Sequence, residues 1–139
     1  MVQKKILVVD DDPDVRLSLH VRLKANNYDV SFAVEGVAAI AEARKNKPDL
    51  ILLDLGLPAG DGFSVLEWLQ ENDTLCLIPV IVLTGRDRTA SKGRSFQAGA
   101  KAFLQKPVAN AELLSVIRQV LEGKGHNAEC IYNLSGAVH

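Results

Sequence analysis

Leu50-Ile51-Leu52-Leu53-Asp54 sets four apolar residues in a row, without polar alternation, and closes the run on a carboxylate. A strand covered on both faces reads this way, and such strands belong to parallel sheets flanked by helices. Working outward, Ile6-Leu7-Val8-Val9, Asp29 to Ala33, Val80-Ile81-Val82-Leu83 and Ala102-Phe103-Leu104 have the same character. Between them lie segments with helical patterning: Pro13 to Ala25, Gly36 to Lys45, Phe63 to Gln70, a weak Arg88 to Ala98, and Ala109 to Leu121. Strands alternating with helices predict right-handed βαβ units and an open, doubly wound α/β sheet. In such a sheet the functional site lies at the carboxyl ends of the strands, near a reversal of strand order.

The chain has 139 residues, enough for one domain, and 47% of them are apolar, which argues against disorder. No apolar run approaches the ~20 residues of a membrane span, and the start lacks a signal peptide's apolar stretch. A cytoplasmic location is the default expectation. The net charge is −1, so bulk electrostatics ask for no nucleic-acid partner. The charge is nevertheless segregated: residues 1–72 carry 12 acids against 8 bases, net −4, and residues 73–139 carry 5 against 8, net +3. Cys76 and Cys130 lie 54 residues apart without a Cys-x-x-Cys spacing, so no zinc or dithiol site is recognisable, and a cytosolic setting predicts reduced thiols. The periodic pattern lapses after Gly123, which divides the chain into a domain over 1–123 and a tail or start of a linker over 124–139.

The chemistry-bearing residues fall on strand ends. Asp10 and Asp11 follow the first strand, Asp54 the third, Thr84 the fourth and Lys106 the fifth. Three carboxylates on one rim repel and raise one another's pKa unless a cation lies among them. A hard divalent ion with oxygen ligands answers this, and Mg²⁺ uses one or two carboxylates with water and phosphate oxygens. With the charge balanced, Asp54 is suited to attack phosphorus as a carboxylate nucleophile.

Set together, Ile6 to Pro13 with its acidic pair, Asp49 to Pro58 around Asp54, Gly60-Asp61-Gly62, Pro79 to Gly85 ending in Thr84-Gly85, and Gly99 to Pro107 ending in Lys106-Pro107 resemble the receiver domains of two-component response regulators. The resemblance covers roughly residues 4–122, with the motifs in that family's order. It implies a five-stranded (βα)5, flavodoxin-like receiver fold. It also implies that Asp54 takes a phosphoryl group from a histidine kinase or phosphotransfer protein. By position, Asp11, Asp54 and the backbone carbonyl of Gly56 would ligate Mg²⁺, with Asp10 acting through water. Thr84 and Lys106 would hold phosphoryl oxygens, Thr84 and Phe103 would form the switch, and Lys106-Pro107 would be a cis peptide bond. Such a domain is a signalling phosphoacceptor that assists its own phosphorylation and dephosphorylation, rather than an enzyme acting on a separate substrate. It relays its state to a protein partner or to an output domain missing from this sequence.

Plainer roles are expected elsewhere. Asp12 suits an N-cap before Pro13, and Asp14 suits the helix dipole. Asp61 suits the turn before Gly62. Trp68 reads as a packing residue and His20 as a solvated one. Gly56 and Arg86 depart from the best-known receiver pattern at positions flanking the phosphorylation site. An aspartyl phosphatase of the haloacid-dehalogenase type is the enzyme alternative, since Asp10-Asp11-Asp12 contains Asp-x-Asp. That reading lacks the motif's following residue, leaves little room for a cap domain and leaves the Asp54 segment unexplained. No basic helix-turn-helix follows Lys124, so nucleic-acid binding by this chain is not expected.

Overall fold

The computed structural model describes residues 3–56, 62–85 and 88–123, and the side chains of residues 88–92 also fall outside it. The turn role expected for Asp61, the position of Arg86, and the tail over 124–139 therefore lie outside the described residues. Five strands, β1 (Lys5–Val9), β2 (Asp29–Ala33), β3 (Leu50–Asp54), β4 (Val80–Thr84) and β5 (Ala102–Gln105), alternate with five helices. The helices are α1 (Pro13–Lys24), α2 (Gly36–Asn46), α3 (Gly62–Glu71), α4 (Arg88–Gln97) and α5 (Asn110–Glu122). All strand pairings are parallel, in the order β2-β1-β3-β4-β5, so the expected doubly wound sheet is present.

Strand periodicity sorts the apolar residues into two cores. Ile6, Val8, Leu50, Leu52, Ile81, Leu83 and Leu104 face α1 and α5, packing on Leu19, Leu23, Leu113 and Ile117. Leu7, Val9, Ile51, Leu53, Val80 and Val82 face the other way, toward Ala39 and Ala43 of α2 and Val65, Leu66 and Leu69 of α3. Every residue of β3 and β4 is buried, which is why neither strand alternates in sequence.

Local chemistry explains the element ends. The Asp12 side chain accepts from the Asp14 N–H at 2.9 Å and Pro13 opens α1, as expected from the sequence. Glu35 caps α2 in the same manner through the Val37 N–H. Gly123 closes α5 with φ +53°, a left-handed conformation that glycine adopts without steric cost.

Three sequence readings change. Trp68 is 47% exposed, because Leu66 and Leu69 occupy the inner face of α3 and leave the indole at the rim of α2. His20 is half-buried rather than solvated: its ring lies 5.6 Å from that of Phe32, and its Nδ1 is buried without a hydrogen-bond partner. A short 3-10 turn, Leu75–Leu77, was not legible as an element, and Cys76 within it is disulfide-bonded where a reduced thiol is expected. Cys130 lies outside the described residues.

Candidate functional site

Asp10, Asp54 and Lys106 reach one place because they share a strand parity. Asp54 continues the series Leu50, Leu52, while Asp10 follows Val8 and Lys106 follows Leu104; these residues all belong to the face toward α1 and α5. The ladder carries the backbone past the strand ends, with Asp10 N–H donating to the Ala33 carbonyl at 3.1 Å and Lys106 N–H to the Thr84 carbonyl at 2.9 Å. β1 and β4 flank β3, which places Asp54 centrally on the rim.

The resulting charge cluster is tight. Asp10 and Asp54 are buried, Asp11 is exposed, and one carboxylate oxygen from each lies within 4.8 Å of the others. Lys106 Nζ lies 2.7 Å from Asp10 Oδ2 and 3.4 Å from Asp54 Oδ2. The remaining valences are directed by backbone: Asp12 N–H donates to Asp10 Oδ1, and Gly56 N–H donates to Asp54 Oδ1, both at 2.9 Å. Burial raises the Asp54 pKa and Asp10 adds to this, while the Gly56 N–H and Lys106 work against it. For Lys106, burial alone would lower the pKa, but the hydrogen bond to Asp10 and the charge of Asp54 raise it.

These donors fit a divalent cation. Three carboxylates against one ammonium leave two negative charges uncompensated, and the cluster offers oxygen alone, as a hard ion such as Mg²⁺ prefers. Burial and the neighbouring Asp10 penalise the Asp54 charge, and a cation among the three carboxylates would relieve that penalty.

Thr84 is fully buried at the end of β4, and its parity matches Val82, on the face toward α3 and α4. Val82 is the register partner of Phe103, so Thr84 and the half-buried Phe103 occupy the same face on adjacent strands. The Lys106–Pro107 peptide bond is cis. Helix α4, next to this pair, buries Ser95 and leaves Phe96 43% exposed. Helix α4 and the residues before it carry the cations Arg86, Arg88, Lys92 and Arg94, and Arg94 sets its guanidinium 3.9 Å above the Phe63 ring. The side chains of those other three cations lie outside the described residues.

Two residues escaped the sequence reading. Arg16 Nη1 donates to the Asp10 main-chain carbonyl at 2.8 Å, fixing the loop that carries the acidic pair. Its position in the first turns of the helix after Asp10 was the available signal. Gly62 opens α3 so close to β3 that an added Cβ would lie 2.6 Å from Leu55 Cα and 2.7 Å from the Asp54 carbonyl oxygen.

The comparisons agree with this geometry. A family model described as response regulator receiver domain matches residues 6–118. The transcriptional regulatory protein PrrA of Mycobacterium tuberculosis is 38% identical over 124 residues, which cover 89% of this chain and 52% of PrrA. The response regulator PleD of Caulobacter vibrioides is 39% identical over 121 residues, covering 86% of this chain and 26% of PleD. The chain thus spans about half the length of PrrA or less of such relatives. Among solved structures, the receiver domain of sensor histidine kinase PA1611 from Pseudomonas aeruginosa, crystallised with magnesium coordinated in its active site cleft, superposes with a TM-score of 0.81. It is 27% identical, and the match covers 88% of this chain and all of that one, 100%.

Proposed function

Because this chain belongs to the receiver-domain family of two-component response regulators, we propose that Asp54 is its phosphoacceptor and that Asp10, Asp11 and Asp54 hold Mg²⁺. The observation that carries this reading is the Lys106 ammonium set between two buried carboxylates, with a third carboxylate at the opening. The donor would be a phosphohistidine on a histidine kinase or phosphotransfer protein. A carboxylate oxygen of Asp54 forms the new P–O bond as the P–N bond breaks, and the electron pair of that bond returns to the imidazole nitrogen. Bound Mg²⁺ would supply charge neutralisation for the carboxylates and the incoming phosphoryl oxygens.

The chain's own residues do the rest. Lys106, already within reach of Asp54, pairs with a phosphoryl oxygen. The Gly56 N–H orients the Asp54 carboxylate, and the Gly56 carbonyl is a candidate metal ligand. Thr84 donates its hydroxyl to a second phosphoryl oxygen, which draws the side chain inward and lets Phe103 follow on the shared face. Phosphorylation adds roughly two negative charges at Asp54, so the change is strong enough to bias a weakly packed neighbour. That neighbour is α4, and the readout surface is formed by α4, β5 and α5, offered to a partner protein or an output domain. Residues 1–123 form the receiver, and 124–139 form its tail or the start of a linker. The domain assists its own phosphorylation and dephosphorylation. Among the described residues no helix is long and apolar enough to cross a membrane, and a cytoplasmic location suits the proposed donors.

Incubation with acetyl phosphate and Mg²⁺ should add one phosphoryl group by intact mass. Asp54→Asn or EDTA should abolish the addition. Unchanged labelling of Asp54→Asn would sink the assignment.

A further inference from the structure

Helices α2 and α3 pack side by side on one core, and a groove of about 300 Å³ opens between them, lined by Ile40, Arg44, Trp68, Glu71, Asn72 and Leu75. Toward the start of α2 its border is apolar. Val37 is 68% exposed in the first turn, and Val34 is exposed just before that helix. The Trp68 indole reaches across to the same place, since a Cβ added at Gly36 would stand 3.8 Å from its Cζ3. With half-buried Ile40, these side chains leave apolar surface that no described element covers, and such surface marks a site of association.

The two walls of the groove carry opposite charge. Helix α2 ends in the exposed Arg44 and Lys45, and its one acid, Glu42, is half-buried and accepts from Asn46 Nδ2. Helix α3 carries the exposed Glu67 and Glu71 and no base. Arg44 and Glu71 line the same groove, yet neither forms an ion pair with any described residue. Both helices follow strands of one parallel sheet, so they run in the same direction.

We propose that this face docks a second copy of the chain, related by a twofold axis along the groove. That rotation sets α2 of one protomer on α3 of its partner and keeps residues at their level, because the two helices run the same way. Arg44 then meets the partner's Glu71, Glu71 meets the partner's Arg44, and Val37 and Trp68 close the apolar end. A basic helix beside an acidic one is its own complement under this rotation, which selects a copy of this chain as the occupant. An axis across the groove would set each helix on its like-charged equivalent. The apolar area is small, so the dimer belongs with transient contacts, with a Kd on the order of 100 µM. It uses no residue of the carboxylate cluster and does not depend on the phosphoacceptor reading.

The test uses the full chain in analytical ultracentrifugation from about 10 µM to about 1 mM, a range that brackets this Kd. The wild type should form a dimer that reverses on dilution. The indole N–H resonance of Trp68, the chain's only tryptophan, should move with the dimer fraction. Arg44→Glu alone and Glu71→Arg alone should each weaken association by about tenfold or more, since each turns two symmetric attractions into repulsions. Mixed in equal amounts, the two variants should associate at close to wild-type strength: the introduced charges face each other, and so do the untouched Arg44 and Glu71. The double variant Arg44→Glu/Glu71→Arg should self-associate equally well. Val37→Glu, at an exposed first-turn position that tolerates an acid, should weaken the dimer several-fold without lowering the thermal midpoint. A chain that stays monomeric at the highest concentration, or a dimer indifferent to Val37→Glu, overturns the proposal. Mixed variants that bind no better than each variant alone overturn the pairing of α2 with α3.

Discussion

Lys106 Nζ is held by Asp10 at 2.7 Å, closer than its 3.4 Å approach to Asp54. The ammonium therefore rests chiefly on the buried Asp10, within ion-pair reach of Asp54. The same relationship makes Lys106 a structural cation.

Lys106→Met should destabilise the metal-free domain by about 1–3 kcal/mol, since it strands a buried, charged acceptor. Added Mg²⁺ should recover part of that loss and bind several-fold tighter than in the wild type, because a competing positive charge is gone. Urea midpoints in EDTA and titration calorimetry check both halves. Weaker Mg²⁺ binding in Lys106→Met would contradict the electrostatic account of the cluster.

Asp54→Asn should stabilise the metal-free domain at neutral pH by about 0.5–2 kcal/mol. The sign follows from the raised Asp54 pKa, caused first by burial and then by Asp10. A carboxyl with its folded pKa raised contributes most below its ordinary value of 3.8, and that contribution is lost as pH rises through the folded value. The stability difference between variant and wild type should accordingly grow from acid toward neutral pH in EDTA, and shrink when Mg²⁺ is present. A difference independent of pH would remove Asp54 ionisation as its cause.

Gly62→Ala should lower stability by about 1–3 kcal/mol and slow phosphorylation, because its methyl group meets the backbone of Leu55 and Asp54 at 2.6 and 2.7 Å. Gly93→Ala is the control, since an added Cβ there meets nothing within 4 Å. Equal effects of the two substitutions would show that helix propensity, rather than the close approach to β3, governs Gly62.

Gly56→Asn and Arg86→Ala should each change the lifetime of the phosphorylated form by several-fold, with little effect on folding. Water has to approach phosphorus opposite the Asp54 oxygen, so groups covering that path control the rate. Gly56 stands at this opening, with its N–H already on Asp54. Phosphate release at the wild-type rate from both variants would exclude control of access by these positions.

Beryllofluoride should shift amide resonances of residues 84–106 as well as those around Asp10, Asp11 and Asp54. Thr84→Ala should blunt the distant shifts while still accepting phosphate at Asp54. The basis is the common face of Thr84 and Phe103, next to a helix whose burial rests on Ser95 among the described side chains. Phe lacks a hydroxyl, so the inward state gains burial without a new hydrogen bond. Shifts confined to the carboxylate cluster would rule out α4, β5 and α5 as the readout surface.

From sequence alone, the unbroken apolar runs at Ile6–Val9, Leu50–Leu53 and Val80–Leu83 determined that these strands are covered on both faces, and period-two alternation determined which residues share a side. The polar residue ending each run then had to stand on the rim, so Asp10, Asp54, Thr84 and Lys106 were legible as a group. The Asp12 cap was legible for the same local reason: it depends on a neighbour two residues away. The tertiary structure decided what depends on distant partners. It set the strand order that makes β3 central, and the preference of Lys106 for Asp10 at 2.7 Å over Asp54 at 3.4 Å, between side chains 96 and 52 residues apart in sequence. It also placed Arg16 on the Asp10 carbonyl, turned Trp68 outward and paired Cys76. Local patterning records which side of an element is apolar, whereas exposure, pairing and charge compensation depend on which neighbours occupy that side once the chain has closed on itself.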